Sequence, residues 1–299
     1  MSEAYVALVN RAAGGGRCGR LVDKVLDRLR AAGVCVNATD TTGPGSATEL
    51  ARGAYRTGVR RFIAVGGDGT AFEVINGLFP DAIGQPPVTL GLLPLGTGNS
   101  FLRDFSDRGV DFAIEALVAG RRKACDILRL THDQGTVYYM NLLSMGFSAR
   151  AAVLTNRYFK WMGASGYLLA VLLCLLRMKK NCFALRADED DWDRRPCLFL
   201  SFNNSKYTGG KMLIAPDADP ADGLIEWVRW GPVGRVDLIR HLHTLFDGTH
   251  IHHRQASRRA VGQVRFGLPE PIDVMIDGEV LRLRCRELDV LASAVNVVV

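Results

Sequence analysis

Residues 61–79 read RFIAVGGDGTAFEVINGLF, a strand-like run, a glycine turn and a helix-like run in direct succession. The apolar run before Gly66 predicts a buried strand, and the apolar spacing from Thr70 onward predicts a helix over 70–79. Glycines at such a turn let backbone amides approach phosphate oxygens, and the helix N-terminus adds a field that favours negative charge. The stretch therefore predicts an anion site, with a purely structural glycine turn as the alternative.

An acidic residue, Asp68, lies inside this turn, where its charge would repel phosphates. We expect its carboxylate to hold a metal ion or a lysine, or to orient the loop by hydrogen bonds.

Two further glycine-rich turns follow apolar strands. NRAAGGGR at 10–17 follows the strand-like YVALV, and PLGTGNS at 94–100 follows VTLGLL. The carboxyl ends of parallel strands meet at one edge of a sheet, so the three turns could converge on a single polyphosphate. The P-loop pattern GxxxxGK[ST] is absent, and the first turn lacks the dinucleotide pattern GxGxxG.

The first part of the chain alternates strand-like and helix-like segments, which predicts a parallel sheet with helices on both faces. Beyond Arg121 several short strand-like runs are separated by Gly, Asp and Asn turns, which predicts an antiparallel β-sandwich-like domain. We therefore expect an α/β nucleotide-binding domain over 1–123 and a β-rich domain over 124–299, whose last strand could pack back on the first domain.

Composition narrows the class of protein. The 299 residues suit about two globular domains, with 48% hydrophobic and 23% charged residues. The formal charge of +6 fits anionic substrates, nucleic acid or an acidic membrane surface. Seven scattered cysteines without a CxxC pair, and a start without a signal peptide, predict a cytoplasmic protein.

The longest apolar run, LLAVLLCLL at 168–176, is about half the roughly 20 residues that a membrane-spanning helix needs. Basic residues flank it, Arg157 and Lys160 before and Arg177, Lys179 and Lys180 after. The run predicts either a buried core helix or a helix that rests on anionic headgroups.

In order and spacing, GGDGT, PLGTGN, GGKMLIAPDADPADGLIE at 209–226 and IDGE at 276–279 resemble the diacylglycerol kinase catalytic-domain family of lipid kinases. That family is related to the NAD kinases, and the resemblance runs from Asn10 to about Glu279. It implies an ATP-binding α/β domain, a β-rich second domain and an active site in the cleft between them.

On matching positions, the resemblance implies that eight residues contact ATP. These are Asn10, Thr41, Gly66, Gly67, Asp68, Gly69, Thr70 and Thr97. Thr42 competes with Thr41, because the segment TDTTGPGSA allows either threonine to match. Capping of a helix or turn is the structural alternative for these threonines.

The resemblance also implies a magnesium ion of mainly structural role at Asp219, Asp222 and Leu224. Hard cations take carboxylate and backbone carbonyl oxygens, which this spacing could supply. The alternative is an Asp-rich β-turn with Gly223 at its positive-φ position.

Glu279 is the candidate catalytic residue, matching the family's general base. A carboxylate opposite an ATP site could deprotonate an alcohol nucleophile. A hairpin turn of the Asp-Gly type explains Asp277 and Gly278 but leaves Glu279 unassigned.

Five of the six histidines lie between His241 and His253. Imidazoles this dense could bind a transition metal, but no carboxylate or thiolate in the sequence completes a convincing site. We therefore expect a solvated helix end.

The sequence predicts an ATP-dependent lipid kinase with Mg²⁺, a lipid substrate, peripheral membrane contact and no nucleic acid partner. The alternatives are a soluble NAD kinase-like phosphotransferase and a catalytically silent lipid- or nucleotide-binding protein. The sequence does not decide between a monomer and a homodimer, and it does not name the lipid.

Overall fold

The computed structural model describes residues 4–146, 149, 181–209 and 211–299. Two compact units divide the chain: Met1–Ile127 with Leu291–Val299 form the first, and Leu128–Val290 form the second. The apolar run 168–176 and its flanking cations lie outside the described residues. No helix within the described ranges is both long and apolar enough to cross a membrane.

The first unit is a parallel sheet with four α-helices. Its strands run β1 (Tyr5–Val9), β2 (Val36–Asp40), β3 (Arg61–Gly66) and β4 (Val88–Pro94), and its helices run α1 (Arg17–Ala31), α2 (Ser46–Arg56), α3 (Asp68–Leu78) and α4 (Val110–Ala119). A 3-10 turn covers Phe101–Asp104. The strand order is β2-β1-β3-β4, with every pair parallel.

Burial in the first unit follows the sequence pattern. β4 is buried along its whole length, as expected of a central strand covered on both faces. On α1 the residues Val22, Val25, Leu26 and Leu29 are buried, at the three- and four-residue spacing of one helix face. Contacts between α2 and α3 and between α1 and α4 join the helices in two pairs.

The strands beyond α4 are mainly short and antiparallel, and they form the second unit except for residues 122–127 and 291–298, which belong to the first. They run β5 (Arg122–His132), β6 (Gly135–Tyr139), β7 (Leu142–Gly146), β8 (Asn181–Cys182), β9 (Leu185–Ala187), β10 (Pro196–Cys197), β11 (Phe199–Asn203), β12 (Tyr207–Thr208), β13 (Met212–Leu213), β14 (Ile225–Trp230), β15 (Ala256–Val261), β16 (Gln263–Phe266), β17 (Ile272–Ile276), β18 (Glu279–Leu283) and β19 (Cys285–Val298). Helices α5 (Arg235–His241) and α6 (Thr244–Asp247) and a 3-10 turn over Thr249–His252 lie between β14 and β15.

Two layers of strands form the sandwich of the second unit. One is a six-stranded antiparallel sheet in the order β15-β14-β11-β7-β17-β18. The other contains β9, β16, the first part of β19, β5 and β6. Phe202 of β11 and Phe266 of β16 meet edge to face at 5.3 Å between ring centroids, which joins the two layers in the core.

β19 contributes to both units. Its residues up to Val290 belong to the second unit, and the rest belong to the first. There, Val295–Val297 pair in parallel with Val88–Leu90 of β4 and extend the sheet of the first unit by one strand. The bend near Ser293, whose φ is 52°, is held by its N–H, which donates to the buried carboxylate of Asp126 at 2.7 Å.

The predicted fold class, a parallel-sheet α/β domain followed by an antiparallel β-sandwich, is confirmed. The helix predicted over 70–79 begins earlier, at Asp68, because the GGDGT turn itself supplies the first helical residues. A second difference concerns the histidines. His250 is 1% exposed in the core of the second unit, not at a solvated helix end.

Candidate functional site

Two of the three glycine turns meet in the first unit. The N–H of Gly96 donates to the carbonyl of Gly66 at 2.7 Å, which ties the turn after β4 to the turn after β3. A methyl group on Gly96 would overlap Cα of Gly67 and lie 2.7 Å from its nitrogen. Glycine is needed at Gly96 because two backbones pass at a distance that admits no side chain.

The first turn, after β1, joins the same edge of the sheet. A methyl group on Gly14 would lie 3.0 Å from the carbonyl oxygen of Leu95, and Gly14 has a φ of +64°. Asn10 reaches the turn after β3, because its Nδ2 donates to Oγ1 of Thr70 at 3.4 Å. The structure therefore brings together Asn10, the Gly66–Thr70 turn and the turn that carries Thr97.

Asp68 links two of these turns. Its carboxylate accepts the backbone N–H of Ser100, at 2.8 Å to Oδ1 and 3.0 Å to Oδ2. Burial raises the pKa of Asp68, and the hydrogen bonds from Ser100 and Phe101 oppose that rise. Of the roles considered for Asp68, the structure supports the orientation of the loop by hydrogen bonds.

The edge formed by these turns has the properties of a phosphate-binding surface. α3 begins at Asp68, so its first backbone amides and the positive end of its dipole lie at this edge. Thr97 is exposed on the turn after β4, while Thr70 is buried with its hydroxyl facing Asn10. Backbone amides, an exposed hydroxyl and a helix N-terminus together suit an anionic ligand.

The two candidate threonines differ in their surroundings. The N–H of Thr41 donates to the carbonyl of Val9 at the end of β1, at 2.8 Å. Thr42 instead engages Ser46, through its N–H at 3.1 Å and its hydroxyl at 3.4 Å. The hydroxyl of Thr42 therefore has a partner at the start of α2.

Glu73 has a role that the sequence did not reveal. Its carboxylate accepts the N–H of Gly45 at 2.9 Å and the N–H of Ala47 at 3.0 Å, so it caps the N-terminus of α2 from α3. The positive end of α2 is thereby occupied by a protein carboxylate. The sequence does not predict this contact, because Glu73 and Gly45 are 28 residues apart along the chain.

In the second unit, Glu279 is the first residue of β18 and its side chain is exposed. A two-residue hairpin turn precedes it, in which Asp277 and Gly278 have φ values of 47° and 89°. Positive φ at both positions is the signature of a type I′ turn, which suits the twist of the flanking strands. The turn presents an unburied carboxylate at the end of the six-stranded sheet.

The neighbouring Asp277 is buried and structural. Its carboxylate accepts the backbone N–H groups of Met140, Asn141 and Leu142 at 3.1, 3.1 and 2.8 Å. In return, the N–H of Asp277 donates to the carbonyl of Leu142 at 3.0 Å. Four hydrogen bonds to residues 140–142, at the entry to β7, therefore fix the turn that carries Glu279.

A buried amide network supports that segment in turn. Asn204 donates through Nδ2 to the carbonyl of Met140 at 2.9 Å and through its N–H to the carbonyl of Asn141 at 2.8 Å. The hydroxyl of Ser205 donates to Oδ1 of Asn141. The sequence predicted none of these roles, although the run NNS at 203–205 directly after an apolar strand is the signal that could have pointed to them.

The predicted metal-binding residues lie in one turn before β14. Asp219 accepts the N–H of Ala221 at 3.1 Å, and Asp222 accepts the N–H of Leu224 at 2.9 Å. Gly223 has a φ of 75°, as the turn interpretation expects. Two exposed carboxylates and a backbone carbonyl lie within six residues, and these all-oxygen groups match in type the hard ligands that Mg²⁺ prefers.

The histidine-rich segment holds a carboxylate that the sequence analysis overlooked. Asp237 Oδ1 lies 3.1 Å from Nδ1 of His241, and Asp237 Oδ2 lies 3.3 Å from Nε2 of His253. Nδ1 of His253 accepts the N–H of Gln255 at 3.1 Å, which leaves Nε2 as the protonated nitrogen that donates to Asp237. The expectation that no carboxylate completes a metal-binding arrangement with these imidazoles is therefore wrong, because one ligand atom each of Asp237, His241 and His253 lie within 4.8 Å of one another.

Two family models match this sequence. The model of the diacylglycerol kinase catalytic domain matches residues 4–130. The model of the YegS C-terminal NAD kinase beta sandwich-like domain matches residues 141–299. Together they cover most of both units described above.

Curated relatives give the same assignment over long alignments. A protein of Mycobacterium tuberculosis (strain H37Rv) named "Diacylglycerol kinase" is 27% identical over 97% of this chain and 93% of its own length. A protein of Yersinia enterocolitica named "Probable lipid kinase YegS-like" is 30% identical over 69% of this chain and 68% of its own length.

Solved structures share the fold. A crystal structure of a diacylglycerol kinase from Bacillus anthracis (strain Sterne) matches 99% of this chain and 96% of that chain, with a TM-score of 0.71 at 18% identity. A second crystal structure from the same strain gives a TM-score of 0.79 at 21% identity.

Proposed function

Because this chain belongs to the diacylglycerol kinase family of lipid kinases, we propose that it transfers the γ-phosphate of ATP to a lipid hydroxyl. The observation that carries the proposal is the hydrogen bond between Gly96 and Gly66, which unites two glycine turns at the carboxyl edge of one parallel sheet. A surface of converging backbone amides next to a helix N-terminus suits a polyphosphate.

The nucleotide contacts in this proposal come from the first unit. They are Asn10, Thr41, Gly66, Gly67, Asp68, Gly69, Thr70 and Thr97. Backbone amides at the start of α3 would hold phosphate oxygens, and the hydroxyl of Thr97 would donate to the same ligand. Asp68 would contribute its backbone amide to this surface, and its carboxylate would position the turn after β4 by accepting the Ser100 amide.

Glu279 of the second unit would act as the general base. Its exposed carboxylate would take the proton from the acceptor hydroxyl as that oxygen attacks the γ-phosphorus. The bond from the γ-phosphorus to the β-γ bridging oxygen breaks, and ADP leaves with that electron pair. The proton on Glu279 then passes to solvent, which reaches this side chain directly.

Mg²⁺ at the 219–224 turn is part of the proposal. Carboxylate oxygens of Asp219 and Asp222 and the carbonyl of Leu224 would hold the ion. When bound, it would neutralise two adjacent carboxylates and stabilise the turn that leads into β14.

The test is transfer of labelled γ-phosphate from ATP to a panel of lipids in mixed micelles. The panel contains diacylglycerol, monoacylglycerol, phosphatidylglycerol, sphingosine, ceramide and a polyprenol. Glu279→Gln is expected to lower turnover by about 100-fold or more, because a general base contributes typically 10²–10⁴-fold, and to leave ATP binding intact. Glu270→Gln, which changes another exposed carboxylate of the second unit, is the matched control and should keep full turnover.

Each outcome bears on a separate part of the proposal. Label in one lipid that is lost in Glu279→Gln supports the reaction and the base, and the headgroup names the acceptor. Equal turnover in Glu279→Gln contradicts the assignment of the base. ATP binding without label in any lipid contradicts the lipid acceptor and points to a polar acceptor or a silent binding protein.

A further inference from the structure

Two imidazoles and one carboxylate of the second unit lie close together at the end of α5. One ligand atom each of Asp237, His241 and His253 lie within 4.8 Å of one another. Within the described ranges, this is the one group of three or more histidine, cysteine or acidic side chains with such a spacing. Imidazole nitrogens and a carboxylate oxygen are ligands that zinc and its neighbours in the first transition row bind in proteins.

Asp237 and His241 come from one turn of α5. Their positions are four residues apart, which places the two side chains one above the other on one face of the helix. The same spacing brings two histidines to one ion in the helical HExxH motif of zinc enzymes. Oδ1 of Asp237 lies 3.1 Å from Nδ1 of His241, so two ligand atoms are already adjacent.

His253 approaches this pair from a different element. It follows the 3-10 turn over Thr249–His252, and its Nε2 lies 3.3 Å from Oδ2 of Asp237. The rings of His241 and His253 meet edge to face, with 4.8 Å between their centroids. An ion that all three side chains bind would therefore link α5 to the chain that enters β15.

The core of the second unit holds His253 in place. Its side chain is 8% exposed, and its ring lies edge-on to the buried ring of Trp230, at 5.8 Å between centroids. The N–H of His253 donates to the carbonyl of His250 at 3.1 Å, and the carbonyl of His253 accepts the N–H of Ala256 at 2.7 Å. A ligand whose position is fixed in advance loses little conformational freedom when it binds an ion.

The distances from the carboxylate match those between atoms that share an ion. Zinc binds imidazole nitrogen at about 2.0–2.1 Å and carboxylate oxygen at about 2.0–2.2 Å, so two ligand atoms of a tetrahedral site lie about 3.4 Å apart. The two imidazoles of the cluster lie 3.1 and 3.3 Å from Asp237. They have to move closer to each other, and His241 can make that movement because its side chain is 38% exposed.

Each imidazole has to exchange one proton for the ion. Nε2 of His253 carries the proton that it donates to Asp237, and Nδ1 of His241 faces the carboxylate and the main-chain carbonyl of Asp237, both of which are acceptors. When a cation takes the place of these protons, each proton moves to the other nitrogen of its ring. For His253 this ends the contact in which Nδ1 accepts the N–H of Gln255. Because Gln255 is exposed, water can accept that N–H instead.

We propose that Asp237, His241 and His253 bind a divalent transition-metal ion, and that Zn²⁺ is the occupant. Three protein ligands leave at least one coordination position to water, and water can reach it because the side chains of Asp237 and His241 are 32% and 38% exposed. The ion ties α5 to the start of β15 and so stabilises the second unit. The proposal goes beyond the proposed function and does not depend on it, since it involves neither ATP nor a lipid.

The ligand types distinguish this site from the predicted magnesium site. Mg²⁺ prefers oxygen ligands such as those of the turn at 219–224, whereas two of the three ligands here are nitrogen. Among the other histidines of the segment, His250 has both ring nitrogens against main-chain carbonyls, at 3.2 and 3.1 Å. His243 and His252 are exposed, and they serve as controls for binding by surface imidazoles.

The test is a calorimetric titration of the whole protein with Zn²⁺, in an excess of Mg²⁺ that occupies sites made of oxygen ligands. One equivalent of Zn²⁺ is expected to bind. His241→Gln and His253→Gln should each weaken that binding by at least tenfold, because even the loss of a group that only orients a ligand typically costs about 10–100-fold in metal affinity. The visible absorption of Co²⁺ gives a second readout: one equivalent should bind, and Zn²⁺ should displace it.

The matched control is the double variant His243→Gln with His252→Gln, which removes two exposed imidazoles of the same segment and should bind one equivalent of Zn²⁺ normally. Circular dichroism and thermal melting without metal check that each variant is folded. Because His241 is only half-buried, His241→Gln keeps the test decisive if His253→Gln does not fold. Zn²⁺ should also raise the melting temperature of the unaltered protein and of the control, and raise that of His241→Gln less.

Three results would overturn the proposal. The first is an unaltered protein that binds no Zn²⁺. The second is an unchanged Zn²⁺ affinity in folded His241→Gln. The third is a loss of binding in the control double variant alone, which would assign the ion to the exposed imidazoles. Because no arm of the test contains ATP or a lipid, failure of the proposed reaction leaves the metal site standing, and failure of the metal site leaves the proposed reaction untouched.

Discussion

The carboxylate of Asp277 accepts the backbone amide of Leu142 at 2.8 Å, and this contact anchors the hairpin turn that carries Glu279. The same carboxylate also accepts the amides of Met140 and Asn141, so one buried side chain aligns the start of β7 with the start of β18. The exposed carboxylate of Glu279 is thus carried by a turn that a buried carboxylate two residues away holds in place.

Asp277→Asn is expected to destabilise the protein by about 1–3 kcal/mol, because an NH₂ group would replace an acceptor oxygen and face a backbone donor. If Glu279 is the base, turnover should also fall by about tenfold while the KM for ATP is unchanged. Urea denaturation and label transfer measure the two effects. Asp273→Asn on β17, which breaks only an exposed pair with Arg282, is the control, and equal results from the two variants would contradict the positioning role.

Gly96→Ala is expected to cost about 1–3 kcal/mol of stability and to weaken ATP binding by tenfold or more. The added methyl group meets backbone atoms of Gly67, which cannot move aside as a flexible side chain could. Gly53→Ala is the contrasting control, since Gly53 lies in α2 with open space around it. That change should raise stability by about 0.5–1 kcal/mol. Thermal melting measures the stability of both variants, and a nucleotide titration measures their affinity for ATP. Normal ATP affinity in Gly96→Ala would argue against the glycine turns as the nucleotide site.

Asp222→Ala is expected to abolish a magnesium-dependent rise in melting temperature. An ion that binds only the folded state raises stability by mass action, and removal of one carboxylate ligand weakens that binding. Asp191→Ala, a change at another exposed carboxylate of the second unit, should retain the rise. A melting temperature of the unaltered protein that is the same with and without Mg²⁺ would reject the structural ion.

The stability of the protein should decrease as the pH falls below 6.5, in part because of His250. Burial lowers the pKa of His250 from its ordinary value of 6.5, and its hydrogen bonds to the carbonyls of Thr244 and Ile214 oppose this only partly. Between 6.5 and the lower pKa of the folded state, the unfolded chain binds a proton that the folded chain does not. In that window the free energy of unfolding falls with falling pH, by at most about 1.4 kcal/mol per pH unit.

His250→Gln should flatten this dependence between pH 7.5 and pH 5.5, as measured by urea denaturation at each pH. His243→Gln, at an exposed position on the same segment, should leave it unchanged. A slope that is identical in His250→Gln and the unaltered protein would show that other groups cause it.

Much of the first unit could be predicted because its signals are local. The alternation of apolar strands with amphipathic helices follows from neighbouring residues, and the parallel order of strands places the three glycine turns at one edge. The approach of Gly96 to Gly67 depends on the register of β3 and β4, with Gly66 opposite Pro94, and no single segment reveals that register. The cap that Glu73 provides to α2 was missed for the same reason.

The second unit shows where sequence reasoning fails. The turn Asp277-Gly278 can be predicted from its residue types. The burial of the Asp277 carboxylate cannot, because it depends on Leu142, which lies 135 residues earlier in the chain. The prediction of a solvated helix end for the histidines was wrong for two reasons. Spacing along a helix does not show that Asp237 and His253 meet across a turn. It also does not show that His250 faces two backbone carbonyls in the core. In each case a polar side chain finds its partner only after the strands have paired.

The last strand has a consequence for how the protein is made. Residues 291–298 of β19 complete the parallel sheet of the first unit, yet they leave the ribosome only after the whole second unit has been synthesised. Until then β4, buried along its length in the finished fold, presents an unpaired edge to other nascent chains. The first unit therefore matures last although it is translated first, and a ribosome that stalls before Leu291 leaves its sheet one strand short.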